Sequence, residues 1–385
     1  MFLYIAMITT VGAVLSERKR ELFTKAVIWP VSIFYTVMAG FVIYTYISGK
    51  DVYLPCFEEA FSTFLGYRAF LAEENPNITA YWFMATGFFA LWIFAKYKNT
   101  FAKFMSVLVF VMNYIALTAA DSRNCKVAFS VGVSIIIIML VLKRLKNKTT
   151  AKTALAVIAT AIIALPLVYG SFSLTAKMSG RIAESVEEYE SSRYTETAMK
   201  AENYYCSNLR VRKNSQRYNI EPIVSDRFVD NRGFEDSGRL PIYKGGLISL
   251  KEEPIRLLIG SAGDEIMSVT NKYLSELYEK EVVFHDHHNS FLNATISSGI
   301  PGIAIIIAFC VLLIRRMAIV FFTRDERVTA DLIVLIAAIA AMFLYNMFET
   351  SIFNIFDIRS VLFFLCAGIF LACSYEICPP KRKSR

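Results

Sequence analysis

All three histidines of the 385-residue chain fall within five positions, His285-Asp286-His287-His288-Asn289. Imidazole is the side chain that most readily takes up or gives up a proton near neutral pH, so this cluster could supply a general base. A second chemistry is open on spacing alone. His285 and His288 are three residues apart and can share one helical face, as zinc ligands do. Their further ligands would have to come from elsewhere, because no other Cys or His lies nearby in sequence. Asn289 or Asp286 is suited to cap a helix that begins just after the cluster.

Two arginines stand out with the histidines. Arg123 closes Leu117-Thr118-Ala119-Ala120-Asp121-Ser122-Arg123 in a very short turn between two apolar runs. A guanidinium held at such a boundary can bind a phosphate through two parallel hydrogen bonds. Arg239 lies in Ser237-Gly238-Arg239-Leu240-Pro241-Ile242-Tyr243, ahead of Gly260-Ser261-Ala262-Gly263, a glycine pair too sparse to define a phosphate cradle. Arg68 precedes a turn signal at Asn75-Pro76-Asn77. Glu349, Asp357 and Arg359 bracket a late turn, where charged groups are ordinarily interfacial. The glycosylation patterns at Asn77 and Asn293 lie against or within apolar runs and are disregarded.

The elements that must position these groups are apolar helices. The chain is 55% hydrophobic with a mean hydropathy of +0.45, the balance of a polytopic membrane protein. Nine nearly charge-free runs, at 2–15, 27–47, 79–95, 104–120, 127–142, 154–174, 291–313, 332–347 and 361–374, approach or reach the ~20 residues that span a hydrocarbon core. The reading is all-α: a six-helix membrane region over 1–174, a large external loop over 175–288, and a three-helix membrane region with a basic tail over 289–385. The net charge of +8 is not a nucleic-acid signal, because the basic residues cluster at every second connection. They follow the first, third, fifth and seventh runs and close the chain. The positive-inside rule then places the N-terminus outside and the C-terminus in the cytoplasm, with the histidines at the external end of the seventh run.

Within the large loop a helical stretch is expected over 183–205. A basic middle follows with Arg210, Arg212, Lys213 and Arg217. An amphipathic stretch over 264–281 repeats Ile266, Val269, Tyr273, Leu274 and Leu277 near helical spacing. No sustained period-2 pattern indicates a sheet. Cys310, Cys366 and Cys373 read as small core residues, and a disulfide between Cys56 and Cys206 is open. The short cytoplasmic loops hold no Walker-type phosphate loop, which argues against an ATP-driven pump. A transporter or flippase would carry ionisable residues in mid-span, whereas here the polar groups gather at the external ends.

The ordered motifs resemble the O-antigen ligase and polymerase superfamily over nearly the whole chain. Gly66-Tyr67-Arg68 with Asn75-Pro76-Asn77 is similar to that family's early external loop. Thr118 with Ser122-Arg123 is similar to its Thr-x-Ser-Arg element, here split by Ala-Ala-Asp. Ser237-Gly238-Arg239 is similar to its Gly-Arg element. His287-His288-Asn289 with Gly299-Ile300-Pro301-Gly302 is similar to the His-Asn and Gly-Ile-x-Gly element that opens the next helix. The resemblance implies a membrane glycosyltransferase without metal or cofactor in the cytoplasmic membrane. It would take glycan from an undecaprenyl-pyrophosphate donor and pass it to the hydroxyl of an acceptor glycan, lipid or protein. On this reading His288 is the base, and Arg123 and Arg239 hold the pyrophosphate. Arg68, Asn289, His287 and His285 assist in binding substrate. Family members usually have about twelve spans, so a chain shortened by three N-terminal spans is expected.

Overall fold

The computed structural model describes residues 2–14, 21–22, 24–53, 61–65, 68–71, 76–145, 157–175, 239–252, 254–261, 265–278, 287–323, 326–349 and 357–379. Cys56, Cys206, His285, the expected helix over 183–205 and the basic middle of the loop lie outside them.

The described residues are almost entirely helical because apolar sequence in a membrane must satisfy its backbone within each segment. In chain order the helices are α1 (Phe2–Val14), α2 (Thr24–Ser48), α3 (Pro76–Lys96), α4 (Thr100–Ala120), α5 (Arg123–Arg144) and α6 (Val157–Thr175). Within the large loop come α7 (Arg239–Glu252), α8 (Ile255–Ile259) and α9 (Glu265–Tyr278), and after it α10 (Ser290–Phe322), α11 (Ala330–Asn346) and α12 (Ile358–Ile377). Seven of them, α2 to α6 with α10 and α12, are long and apolar enough to cross a membrane, and α11 is apolar at 17 residues. The expected first span is a 13-residue helix, α1, packed against α12. The protein is a helical membrane protein. One expectation is corrected: β1 (Ser62–Leu65) and β2 (Arg68–Leu71) form an antiparallel hairpin that packs on α2, α3 and α4. Strands of four residues are too short to show a sustained alternation.

α3 is the centre of the core. Tyr81, Phe83, Met84, Phe88 and Phe89 are buried on it, and it packs against α2, α4, α5 and α11. Tyr35 of α2 stacks on Trp82 with ring centroids 4.7 Å apart. At Gly132 of α5 a methyl group would stand 2.4 Å from the Phe88 ring and 3.0 Å from the Ala337 carbonyl oxygen, so the missing side chain is what lets α5 lie against α3 and α11.

The two ends of the bundle differ in chemistry. At one end basic side chains donate to backbone carbonyls of neighbouring segments. Lys143 Nζ donates to Val328 O at 2.8 Å, Arg327 to Ile377 O at 2.7 Å, and buried Arg316 to Ser374 O and Cys378 O. The opposite end gathers the starts of α3, α5, α10 and α12 with the ends of α4 and α11, and it holds His287 and His288.

α10 departs from the single straight span expected from the sequence. It is broken at Gly299, whose φ of 63° and ψ of −166° are not helical, and Pro301 follows. Proline cannot donate a backbone hydrogen bond, so carbonyls at the break need other partners. Ser261 N, in the segment after α8, donates to Ile296 O at 2.8 Å. Gly260, itself at φ +78°, approaches so closely that a Cβ there would lie 2.4 Å from Ser297 O. The loop is thus fastened to α10 backbone to backbone.

Candidate functional site

The site is built around the start of α10. Asn289 is the N-cap: its Oδ1 accepts from Phe291 N at 3.0 Å and Leu292 N at 2.9 Å, which satisfies donors that a helix start leaves open. Its Nδ2 donates to Met347 O at 2.9 Å, tying the start of α10 to the end of α11. Ser290 Oγ adds a bond to Glu349 O at 2.6 Å.

The two described histidines are used differently. His287 is fully buried. Its Nδ1 donates to Asn293 Oδ1 at 3.1 Å, and its Nε2 accepts from Thr270 Oγ1 at 3.0 Å. Both nitrogens therefore serve to join α9 to α10. The approach depends on Gly246 of α7, where a Cβ would stand 2.8 Å from the His287 ring. His288 faces the other way, with a quarter of its side chain exposed. Its φ is +48°, a left-handed conformation that non-glycine residues seldom adopt. Tyr243 OH of α7 donates to His288 O at 3.1 Å and helps to hold it there.

A nearly buried polar network faces His288. Its Nδ1 stands 3.6 Å from Glu349 Oε2, within ion-pair reach and just beyond a hydrogen bond. Glu349 Oε1 accepts from Asn77 Nδ2 at 2.9 Å, and Asn77 Oδ1 accepts from Ser122 Oγ at 2.8 Å. The two contacts demand opposite polarity of the two ends of the amide, so together they fix which way Asn77 points. Tyr345 OH donates to Asn77 O at 3.1 Å. Arg359, paired with Asp357, reaches Tyr345 OH at 3.4 Å. Starts or ends of α3, α5, α10, α11 and α12 thereby join one polar network, in which Asn77 and His288 face the Glu349 carboxylate.

The other residues singled out in the sequence are distributed around this network. Arg123 is exposed at the first position of α5, next to Ser122, and has no hydrogen-bond or ion-pair partner among the described residues. One turn further, nearly buried Lys126 pairs with Asp121 and lies over the Phe172 ring at 5.8 Å. Arg239 opens α7 one helical turn before Tyr243. Arg68 opens β2 and pairs with Leu65 across the hairpin. In the sequence Glu349 reads as a span-end charge and Asn77 as part of a turn signal, and nothing singles out Tyr345. Only the signal of a charged group at the end of an apolar run marked Glu349, and that signal does not separate a solvated charge from one that is 8% exposed.

Residues 104–307, just over half of the chain, match the family model described as O-antigen ligase. The chain belongs to the O-antigen ligase family. Comparison with curated proteins returns no match. The O-antigen ligase match begins in α4, includes Arg123, Arg239 and the histidine cluster, and ends eight residues beyond the break at Gly299. Membership makes the protein a membrane glycosyltransferase of the ligase or polymerase type. Glu349, Asp357 and Arg359 come from beyond the matched O-antigen ligase residues, and the fold supplies them to the matched part through α11 and α12.

Proposed function

We propose that the protein transfers glycan from an undecaprenyl-pyrophosphate donor to an acceptor hydroxyl at the outer face of the cytoplasmic membrane, without a metal or cofactor. The observation that carries this reading is the division of labour between neighbouring histidines. His287 has both nitrogens bound within the protein, whereas His288 is partly open and faces a carboxylate. His288 takes the proton of the acceptor hydroxyl. Arg123, exposed at its helix start, and Arg239 stabilise the negative charge that builds on the departing pyrophosphate. Asn289 and His287 hold the base in place, and Arg68 and His285 contact the glycan or its carrier. The basic end of the bundle, with Lys143, Arg316 and Arg327, faces the cytoplasm under the positive-inside rule, which puts the histidines outside. The acceptor is a lipid or protein in a ligase and another lipid-linked glycan in a polymerase.

The test is restoration of surface glycan in source cells deleted for this gene, with His288→Ala and Arg239→Ala beside the wild type. Wild type should restore the polymer, and each variant should reduce it at least about 100-fold, the scale of losing a general base. Full restoration by both variants at equal expression refutes the assignment. A ladder of chain lengths identifies a polymerase, and transfer of preformed polymer a ligase.

A further inference from the structure

We propose that Glu349 is the positioning residue of His288: it selects the imidazole tautomer that leaves Nε2 able to accept a proton. The inference rests on His288 being the base. A neutral imidazole carries one N–H, and the hydrogen bond made by one nitrogen decides which of the two can act as acceptor. Glu349 Oε2 faces His288 Nδ1 at 3.6 Å. A carboxylate only accepts, so it favours the Nδ1–H form. It is also held in place. Asn77 binds its second oxygen, Ser122 fixes the Asn77 amide, and Ser290 binds the Glu349 backbone carbonyl.

In the step itself the acceptor O–H proton moves to Nε2. The oxygen forms its bond to the anomeric carbon, and the bond from that carbon to the pyrophosphate oxygen breaks with its electron pair leaving on pyrophosphate. His288 is then an imidazolium, stabilised by the adjacent carboxylate until the proton passes to water. No other reactant is required.

The geometry makes an unusual ordering of variants. Glu349→Gln is the more conservative change in shape, and its Oε1 still accepts from Asn77. Its amide nitrogen, however, then faces His288 Nδ1 as a donor and drives the proton to Nε2, which blocks the base. Glu349→Ala leaves the tautomer to chance. In the serine-protease triad the equivalent carboxylate-to-amide change lowers kcat by about 10⁴. Here the longer contact and the partial exposure of His288 reduce the expected loss to about 100-fold.

The assay uses the full chain in nanodiscs with the lipid-linked glycan that accumulates in source cells lacking the protein. Glu349→Gln should lower kcat about 100-fold with KM within about threefold. Glu349→Ala should retain more activity than Glu349→Gln, and Glu349→Gln in a His288→Ala background should cause no further loss. A second readout is independent of turnover. Only three histidines are present, so ¹⁵N-histidine spectra are simple, and His288→Ala assigns the signal. The His288 resonances should change from the Nδ1–H to the Nε2–H form in Glu349→Gln. An unchanged tautomer, or alanine more damaging than glutamine, overturns the proposal. If His288→Ala itself stays active, it is the base assignment that fails.

Discussion

The break in α10 makes a quantitative prediction for Gly299→Ala. With φ of 63° and ψ of −166°, Gly299 occupies a region open essentially to glycine alone, where another residue costs about 1–3 kcal/mol. The new methyl group would also stand 2.9 Å from Leu257 O, 3.0 Å from Gly260 N and 3.0 Å from Leu258 C. All three are backbone atoms that cannot rotate aside, and overpacking of this kind costs about 1–3 kcal/mol more. A combined cost near 3 kcal/mol, at about 1.4 kcal/mol per tenfold, raises the population of the undocked loop about 100-fold. The Ser261 amide, which donates to Ile296 O across this contact, is the direct reporter. Its hydrogen exchange in detergent micelles should accelerate about 100-fold, with the amides of the α3 core unchanged. Gly170→Ala is the control, because a Cβ there meets nothing within 4 Å. If Ser261 exchanges equally slowly in wild type and Gly299→Ala, the backbone contact is not what docks the loop.

Two further perturbations test how the site is supported. Thr270→Val strips the hydroxyl that donates to His287 Nε2 in a fully buried setting; it should cost about 1–3 kcal/mol and lower the melting temperature, while Thr270→Ser keeps wild-type stability, and equal melting of the two variants contradicts the role given to that bond. Asp357→Asn breaks the ion pair with Arg359, in which each side chain is 12% exposed; leaving a buried charge uncompensated should destabilise by about 3–5 kcal/mol, seen as reduced yield of folded protein after extraction, and an unaltered yield and melting temperature argue against it.

The spans could be read because their cause is local. A run of about twenty apolar residues has one low-energy solution in a membrane, and α2 to α6 begin and end within a few residues of the runs that announce them. The helix cap at Asn289 was legible for the same reason, since the residue and the two amides that it binds are neighbours. The break in α10 was not. Gly299 and Pro301 are common enough in membrane helices, and what fixes the break is the approach of Gly260 from a separate part of the loop. Glu349 was illegible for a related reason. Its importance lies in contacts with Asn77, 272 residues away, and with His288, and neither is written in its neighbourhood. The His288 assignment came from the family resemblance. The fold adds the contrast between a histidine with both nitrogens occupied and one that is partly open.

The break at Gly299 also separates two rotational phases. In an uninterrupted α-helix a single inserted residue turns everything beyond it by about 100°. His288 would then be re-aimed by any change of length in the span below it. Because Gly299 leaves the helical path, the segment that carries the histidine takes its orientation from Met347, Glu349 and Tyr243. The lower segment takes its own from the helices and lipid around it. Insertions and deletions below the glycine can therefore accumulate, or be engineered, without turning the imidazole, whereas the same change between Asn289 and Ser298 would swing it out of line.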